Sequence, residues 1–169
     1  MFDGIIPIDT PKHHFKNIRE AKKWAKENII GFFKNENTDE EISVSKSAID
    51  KCLSESAVKK SASFDAHLST LMQLPKLLET SVLKEIAPDR LNDSNIDEIR
   101  RFLGAVIYER KIYPVKITVK VIKCEGSKAY SYEVMQIESP ITQNELPDYH
   151  FLGGIHGDRI HLTDRPTSC

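Results

Sequence analysis

Residues 112–122 narrow the possible folds more than any other part of this chain. They read Ile-Tyr-Pro-Val-Lys-Ile-Thr-Val-Lys-Val-Ile, so Val115, Ile117, Val119 and Val121 alternate with Lys116, Thr118 and Lys120. A period of two fits a half-buried strand and no helix, and it makes one face apolar and the other cationic. Residues 99–108 and 129–137 are similarly rich in β-branched and aromatic side chains. The polar turns between them, at 109–111 and at 124–128 with Gly126, have hairpin length, which predicts three antiparallel strands. Pro114 has no N–H to give a neighbour, so it belongs at an edge or a bulge.

An apolar sheet face needs a cover, and the preceding residues supply it. Asn17 with Glu20 forms a capping-box-like start. From there Ile18, Ala21, Trp24, Ala25 and Ile29 recur at helical spacing, with Gly31 as the expected stop and Lys16, Lys22, Lys23 and Lys26 outside. Phe32-Phe33 leads into a turn at 35–40 and a short strand at 42–44. Ser45 caps a second helix with Ala48, Ile49, Cys52 and Leu53 on one stripe. Residues 54–62, small and polar, read as a loop. Ser63 caps a third helix carrying Phe64, Leu68, Leu71 and Met72, and Pro75 forces a kink or a fresh start. Residues 82–86 enter the sheet after that. The order predicts an α+β domain over residues 1–138, with N-terminal helices packed on one face of a C-terminal antiparallel sheet. Residues 139–169, rich in Pro and Gly, read as a peripheral tail.

At 169 residues the chain suits one core. The net charge of −1 excludes nothing, but its distribution is informative. Residues 99–128 hold eight Lys and Arg against two Glu, and residues 12–34 hold seven against two. Two basic segments in a neutral protein can share one face, as binding to RNA or another nucleic acid, or to an acidic protein partner, requires. The plainer alternative is a pair of solvated faces. Cys52, Cys124 and Cys169 are far apart, with no Cys-x-x-Cys, so no metal and no cofactor is expected. The tail residues His150, His156 and His161 fit no ligand spacing. No signal peptide and no membrane span is legible, so a cytoplasmic location is expected.

Several stretches in unbroken order resemble a known family. They are Phe15-Lys-Asn-Ile-Arg-Glu-Ala-Lys-Lys-Trp-Ala, Ile42-Ser-Val-Ser-Lys-Ser-Ala-Ile-Asp-Lys-Cys-Leu-Ser and Ala57-Val-Lys-Lys-Ser-Ala-Ser-Phe-Asp-Ala-His67. Leu74-Pro-Lys-Leu-Leu-Glu-Thr-Ser-Val-Leu, Asn95-Ile-Asp-Glu-Ile-Arg-Arg-Phe and Tyr113-Pro-Val-Lys-Ile-Thr-Val-Lys120 complete the set. Together, over roughly residues 12–138, they resemble the third type of large polyvalent protein-associated domain, found in fused proteins of phages and mobile elements. The resemblance implies the barnase–EndoU–colicin–RelE-like fold group, in which helices pack on one sheet face and the other face binds RNA. It further implies an endoribonuclease-like activity that cleaves RNA without metal, or a degenerate, non-catalytic binding module of the same fold. Whether the domain normally belongs to a longer protein is left open.

Such cleavage needs a base, an acid and a cation on the phosphate. His67, the lone histidine between residues 15 and 149, is the expected acid or base; its plainer reading is a helix histidine making one hydrogen bond. Relatives in this family usually have histidine where this chain has Arg100, and an arginine can hold phosphate but moves protons poorly. Lys116, Thr118 and Lys120 share a strand face and could bracket a phosphate with Arg100 and Arg101, or could simply keep the face soluble. Tyr130 and Tyr132 share a face too, and either stack on bases or pack in the sheet. The expected catalytic set is therefore His67, Arg100, Lys116 and Thr118. The expected nucleic-acid contacts are Arg101, Lys120, Tyr130 and Tyr132.

Overall fold

A computed structural model describes residues 4–148. In chain order its elements are β1 (Ile8–Asp9), α1 (Ile18–Asn28), β2 (Gly31–Lys34), β3 (Glu41–Val44), α2 (Lys46–Cys52), α3 (Glu55–Lys60), α4 (Phe64–Leu71) and α5 (Leu74–Thr80). There follow β4 (Val82–Ala87), β5 (Ile96–Tyr108), β6 (Lys111–Cys124), β7 (Ser127–Ile137) and a 3-10 turn at Gln143–Asp148. The three long strands are those the alternation picks out. They run antiparallel as β5–β6–β7. Their first hairpin turns on Glu109 and Arg110, both at positive φ, as a two-residue loop that follows the sheet twist requires.

The whole sheet is wider than the sequence predicts. β4 pairs antiparallel with the first part of β5, and β1 pairs parallel with its end. On the other side β3 joins β7 in parallel and β2 closes the edge. The expected antiparallel sheet is thus a curled, mixed, seven-stranded one, within the α+β class. The short strand expected at 42–44 is β3, and the added strands β1 and β2 have two and four residues, too few to display a period of two. Pro114 sits where β7 runs out: its carbonyl accepts from Glu138 N at 2.9 Å, one residue past that strand.

Caps fix the helices where the sequence places them. Asn17, Ser45 and Ser63 each accept from the backbone N–H three residues on. Pro75 occupies the first turn of α5, a fresh helix, where its missing donor costs nothing. Two expectations fail locally. Residues 54–62 contain α3, capped by Ser54 rather than looped; six residues are too few to show a stripe. Gly31 does not stop α1, which closes at Ile29 through a bond to Ala25 O; at φ +148° it opens β2 instead.

The five helices cover the face carrying Val115, Ile117, Val119 and Val121, all fully buried with Leu68, Leu71, Leu74, Leu77 and Leu78. Each such side chain contributes about 1.5–3 kcal/mol by leaving water. α5 approaches β5 so closely that a Cβ on Gly104 would lie 2.8 Å from Leu77 Cδ2. On the opposite face a smaller cluster of Ile5, Leu103 and Ala105, with Ile112 and Ile141, covers one end of the sheet. Ile141 is held there by its N–H on Ile112 O at 2.8 Å. Among the described residues no helix covers the rest of that face. Among the described residues no helix is long and apolar enough to cross a membrane. The tail histidines His150, His156 and His161 lie outside the described residues.

Candidate functional site

Arg100 and Arg101 are consecutive on β5, so the pleat sends them to opposite faces. Arg100 lies opposite Val119 and therefore faces the helices; Arg101 lies opposite Thr118 and faces away. Arg100 is 4% exposed. Its guanidinium donates to both Glu40 oxygens at 2.6 and 2.7 Å and to Glu98 at 3.1 Å, and it sits 5.0 Å above the Tyr130 ring. Burial alone would depress its pKa, but the Glu98 and Glu40 carboxylates more than offset this and raise it. Glu40 is positioned by the 35–40 loop, folded around buried Asn35. Asn35 Nδ2 donates to Leu78 O and Ser81 O, its Oδ1 accepts from Thr38 N, and its backbone N–H donates to Glu40 O at 2.9 Å. Arg100 therefore ties loop, strand and helices together. Its every visible partner is internal, and it does not share a face with Lys116.

His67 is equally enclosed, with no exposed surface. The Cys52 carbonyl, 2.8 Å from Nε2, can only accept, so Nε2 carries the proton. Ser61 Oγ accepts from Ile137 N at 3.0 Å and donates to Nδ1 at 2.7 Å. Both ring nitrogens are thus committed in the neutral form, and burial lowers the pKa below the ordinary histidine value. The ring bolts α4 to the end of α2 and, through Ser61, to β7. Tyr130 and Tyr132 pack on the same side, 3% and 1% exposed, opposite Val121 and Val119. They are core residues and are out of reach of a base on the open face. Burial pushes the neighbouring Cys52 thiol up to about 11, which leaves it protonated and inert.

The open face keeps Arg101, Lys116, Thr118 and Lys120 together, as the alternation requires. Its charge is less bare than the sequence suggests. Arg101 meets Glu85 at 2.9 Å, Lys116 meets Glu138 at 3.0 Å, and Lys120 meets Glu133 at 2.7 Å. Glu133 is the extra residue of a bulge in β7 between the Thr118–Val134 and Val119–Tyr132 pairs, a device that re-aims a side chain. It also takes Lys51 at 2.7 Å. Burial works to raise its pKa, and hydrogen bonds from Lys120 and Lys51 overcome that and lower it.

Where α2 and α3 end beside this face, a cleft of about 460 Å³ opens. Its cations are Lys51, Lys60, Arg90, Arg101 and Lys116, and among the described residues no carboxylate lines it. Thr118, Ser54 and Ser56 add hydroxyls, and Ala57, Val134 and Met135 give an apolar wall. Lys60 and Arg90 are exposed and have no carboxylate partner among the described residues. Five cations around a space of this size suit an anion with several oxygens, phosphate above all. Among the described residues no histidine lines the cleft. Among the described residues no three His, Cys, Asp or Glu side chains converge as metal ligands would.

Of the expected site residues, then, Arg101, Lys116 and Thr118 line one cleft, Lys120 stands on the same face, and His67, Arg100, Tyr130 and Tyr132 are on the other side of the sheet. Sequence reasoning missed Lys51, Ser54, Ser56, Lys60 and Arg90. Reading residues 54–62 as a helix through its Ser54 cap would have found Ser56 and Lys60 on a rigid element; nothing local marks Arg90. A family model described as large polyvalent protein-associated domain 3 matches residues 13–130, which includes most of the elements around the cleft. No curated protein and no solved structure matches the chain.

Proposed function

The chain belongs to the family of large polyvalent protein-associated domain 3, a domain type of phage and mobile-element proteins, and from that premise we propose that it binds single-stranded RNA through its phosphate backbone. The observation that carries this reading is the cleft that the described residues line with five cations, three hydroxyls and no carboxylate. Lys60 and Arg90 bring charge that no partner among the described residues satisfies, and Arg101 and Lys116, in half-buried pairs with Glu85 and Glu138, can share their N–H donors with a phosphate. Val134, half-buried in the cleft wall, gives a base or ribose an apolar surface to rest on.

In this reading the domain binds without cutting. A metal-free endoribonuclease of the barnase–EndoU–colicin–RelE-like type would have to draw its base and acid from the cleft itself, since His67 is locked in the scaffold and Arg100 faces the core. Thr118 and Lys116 can hold and polarise a phosphate, which is the part of that chemistry the cleft supports.

Labelled single-stranded RNA titrated by fluorescence anisotropy tests the reading, with EDTA present and the RNA afterwards run on a gel. Expected are binding that weakens steeply with salt, a several-fold or greater loss in a Lys60→Ala/Arg90→Ala double variant, and intact RNA. Binding that is flat in salt contradicts a phosphate contact and points to an acidic protein partner. RNA cut in EDTA, with cutting lost in Lys116→Ala, would instead make the domain a nuclease.

A further inference from the structure

A second basic groove lies on the far flank of α2. Arg19, Lys22, Lys23 and Lys26 of α1 line it with Lys46 of α2, and Glu27 is its one carboxylate; its volume is about 460 Å³. Arg19 and Lys23 are four residues apart, as are Lys22 and Lys26, so α1 carries two ridges of like charge, an arrangement that destabilises a helix. Asp50 relieves one ridge, with Lys26 at 2.8 Å and Lys22 at 3.9 Å. Arg19, Lys23 and Lys46 are exposed and have no carboxylate partner among the described residues.

We propose that this groove is a second phosphate subsite for the same strand that fills the cleft, so that the ligand is an oligonucleotide crossing α2 rather than a single nucleotide. The inference rests on the reading of the cleft as an RNA site. α2 is the divide between the two. Lys46 at its start faces the groove and Lys51 near its end faces the cleft. Five residues apart, they stand about 140° round the helix axis from each other. Between them the outer surface of α2 presents Ser47 and Asp50, both exposed. The Lys26 hydrogen bond holds the Asp50 carboxyl below its usual range, and the Lys22 and Lys26 ammonium groups offset its charge. A chain crossing here meets a hydroxyl and a neutralised carboxylate, and no apolar or net acidic barrier. The crossing is as wide as a helix, about 10–12 Å with side chains, so one phosphate cannot reach both sites while a short oligonucleotide can.

The test uses the full chain, two ligands and two variants. The ligands are a nucleoside 3′,5′-bisphosphate, which fits the cleft alone, and a twelve-nucleotide single-stranded RNA. The variants are Arg19→Ala/Lys23→Ala/Lys46→Ala in the groove and Lys60→Ala/Arg90→Ala in the cleft, all at exposed positions. The groove variant is expected to hold the bisphosphate as the unmodified protein does and to bind the twelve-mer tenfold or more weakly. Its log–log salt slope for the twelve-mer should shrink by about 2, since each phosphate contact on a single strand is worth about 0.7. The cleft variant is expected to lose affinity for both ligands. A groove variant that keeps full affinity and slope for the twelve-mer, while the unmodified protein still binds the bisphosphate, overturns the second subsite and leaves the cleft standing. Equal losses on both ligands overturn it as well. Failure of the unmodified protein to bind either ligand removes the RNA reading itself.

Discussion

The two faces of the sheet treat their polar groups in opposite ways. On the helix-covered face Arg100, Glu40, His67 and Asn35 are buried and each is hydrogen-bonded inside the chain. On the open face Arg101, Lys116 and Lys120 hold their carboxylates in half-buried pairs, and Lys60 and Arg90 beside them hold none among the described residues. The difference teaches where function can reside. A saturated, desolvated network gives stability and has nothing left for a ligand; a solvated one gives little stability and can trade its partners.

Breaking the covered side should cost most. Arg100→Ala or Glu40→Ala leaves its partner charged and buried, so each is expected to destabilise the domain by about 3–5 kcal/mol in urea unfolding. The double variant should cost less than the two singles together, because neither charge is then stranded. His67→Ala comes next, at about 2–4 kcal/mol, from the hole it leaves and from the unsatisfied Ser61 and Cys52 groups. RNA affinity of the folded fraction should be unchanged in both cases.

The pH response sharpens the same contrast. Burial depresses the pKa of His67 in the folded protein relative to its value of about 6.5 when unfolded. The unfolded chain therefore takes up the proton first as pH falls, and the stability that His67 contributes is complete above pH ~6.5 and drains away below it. Between pH 7 and 5 the loss should reach at most about 1.4 kcal/mol per pH unit. Thermal unfolding of a His67→Gln variant over that range should show a flatter profile. An equally steep profile in the variant would place the titrating group elsewhere.

The smallest stability effects are expected on the open face. Lys60→Ala and Arg90→Ala should each stay within about 0.5 kcal/mol of the unmodified protein, since both are exposed and neither holds a carboxylate partner among the described residues. Their signature is weaker RNA binding at unchanged melting temperature.

Much of this contrast is legible in the sequence, and the part that is not has definite causes. The alternation at 115–121 sorts Lys116 and Thr118 from Val115 and Ile117 correctly, because one strand's faces depend only on its own period. Arg100, Tyr130 and Tyr132 needed the pairing register as well. Bulges shift it, at Asp97 between the Ile96 and Glu98 pairs and at Glu133 in β7, and no local signal marks them. His67 lies one residue from the Leu68 stripe, a position that neither buries nor exposes it until the packing of α2 is known. Counting charge by segment overstated the bareness of the cationic face, since Glu85, Glu133 and Glu138 arrive from outside the counted stretch. The short elements β1, β2 and α3 carry too few residues for any period to emerge.

Arg100 and Arg101 offer the most direct test, as adjacent residues of one type on opposite faces. Arg100→Gln and Arg101→Gln should be compared for melting temperature and for affinity toward a single-stranded RNA at fixed salt. The account predicts that Arg100→Gln melts much lower and binds normally when folded, while Arg101→Gln melts within a few degrees of the unmodified protein and binds several-fold more weakly. An Arg101→Gln protein with undiminished affinity, or a stable Arg100→Gln protein that no longer binds, would contradict the assignment of structure to one face and recognition to the other.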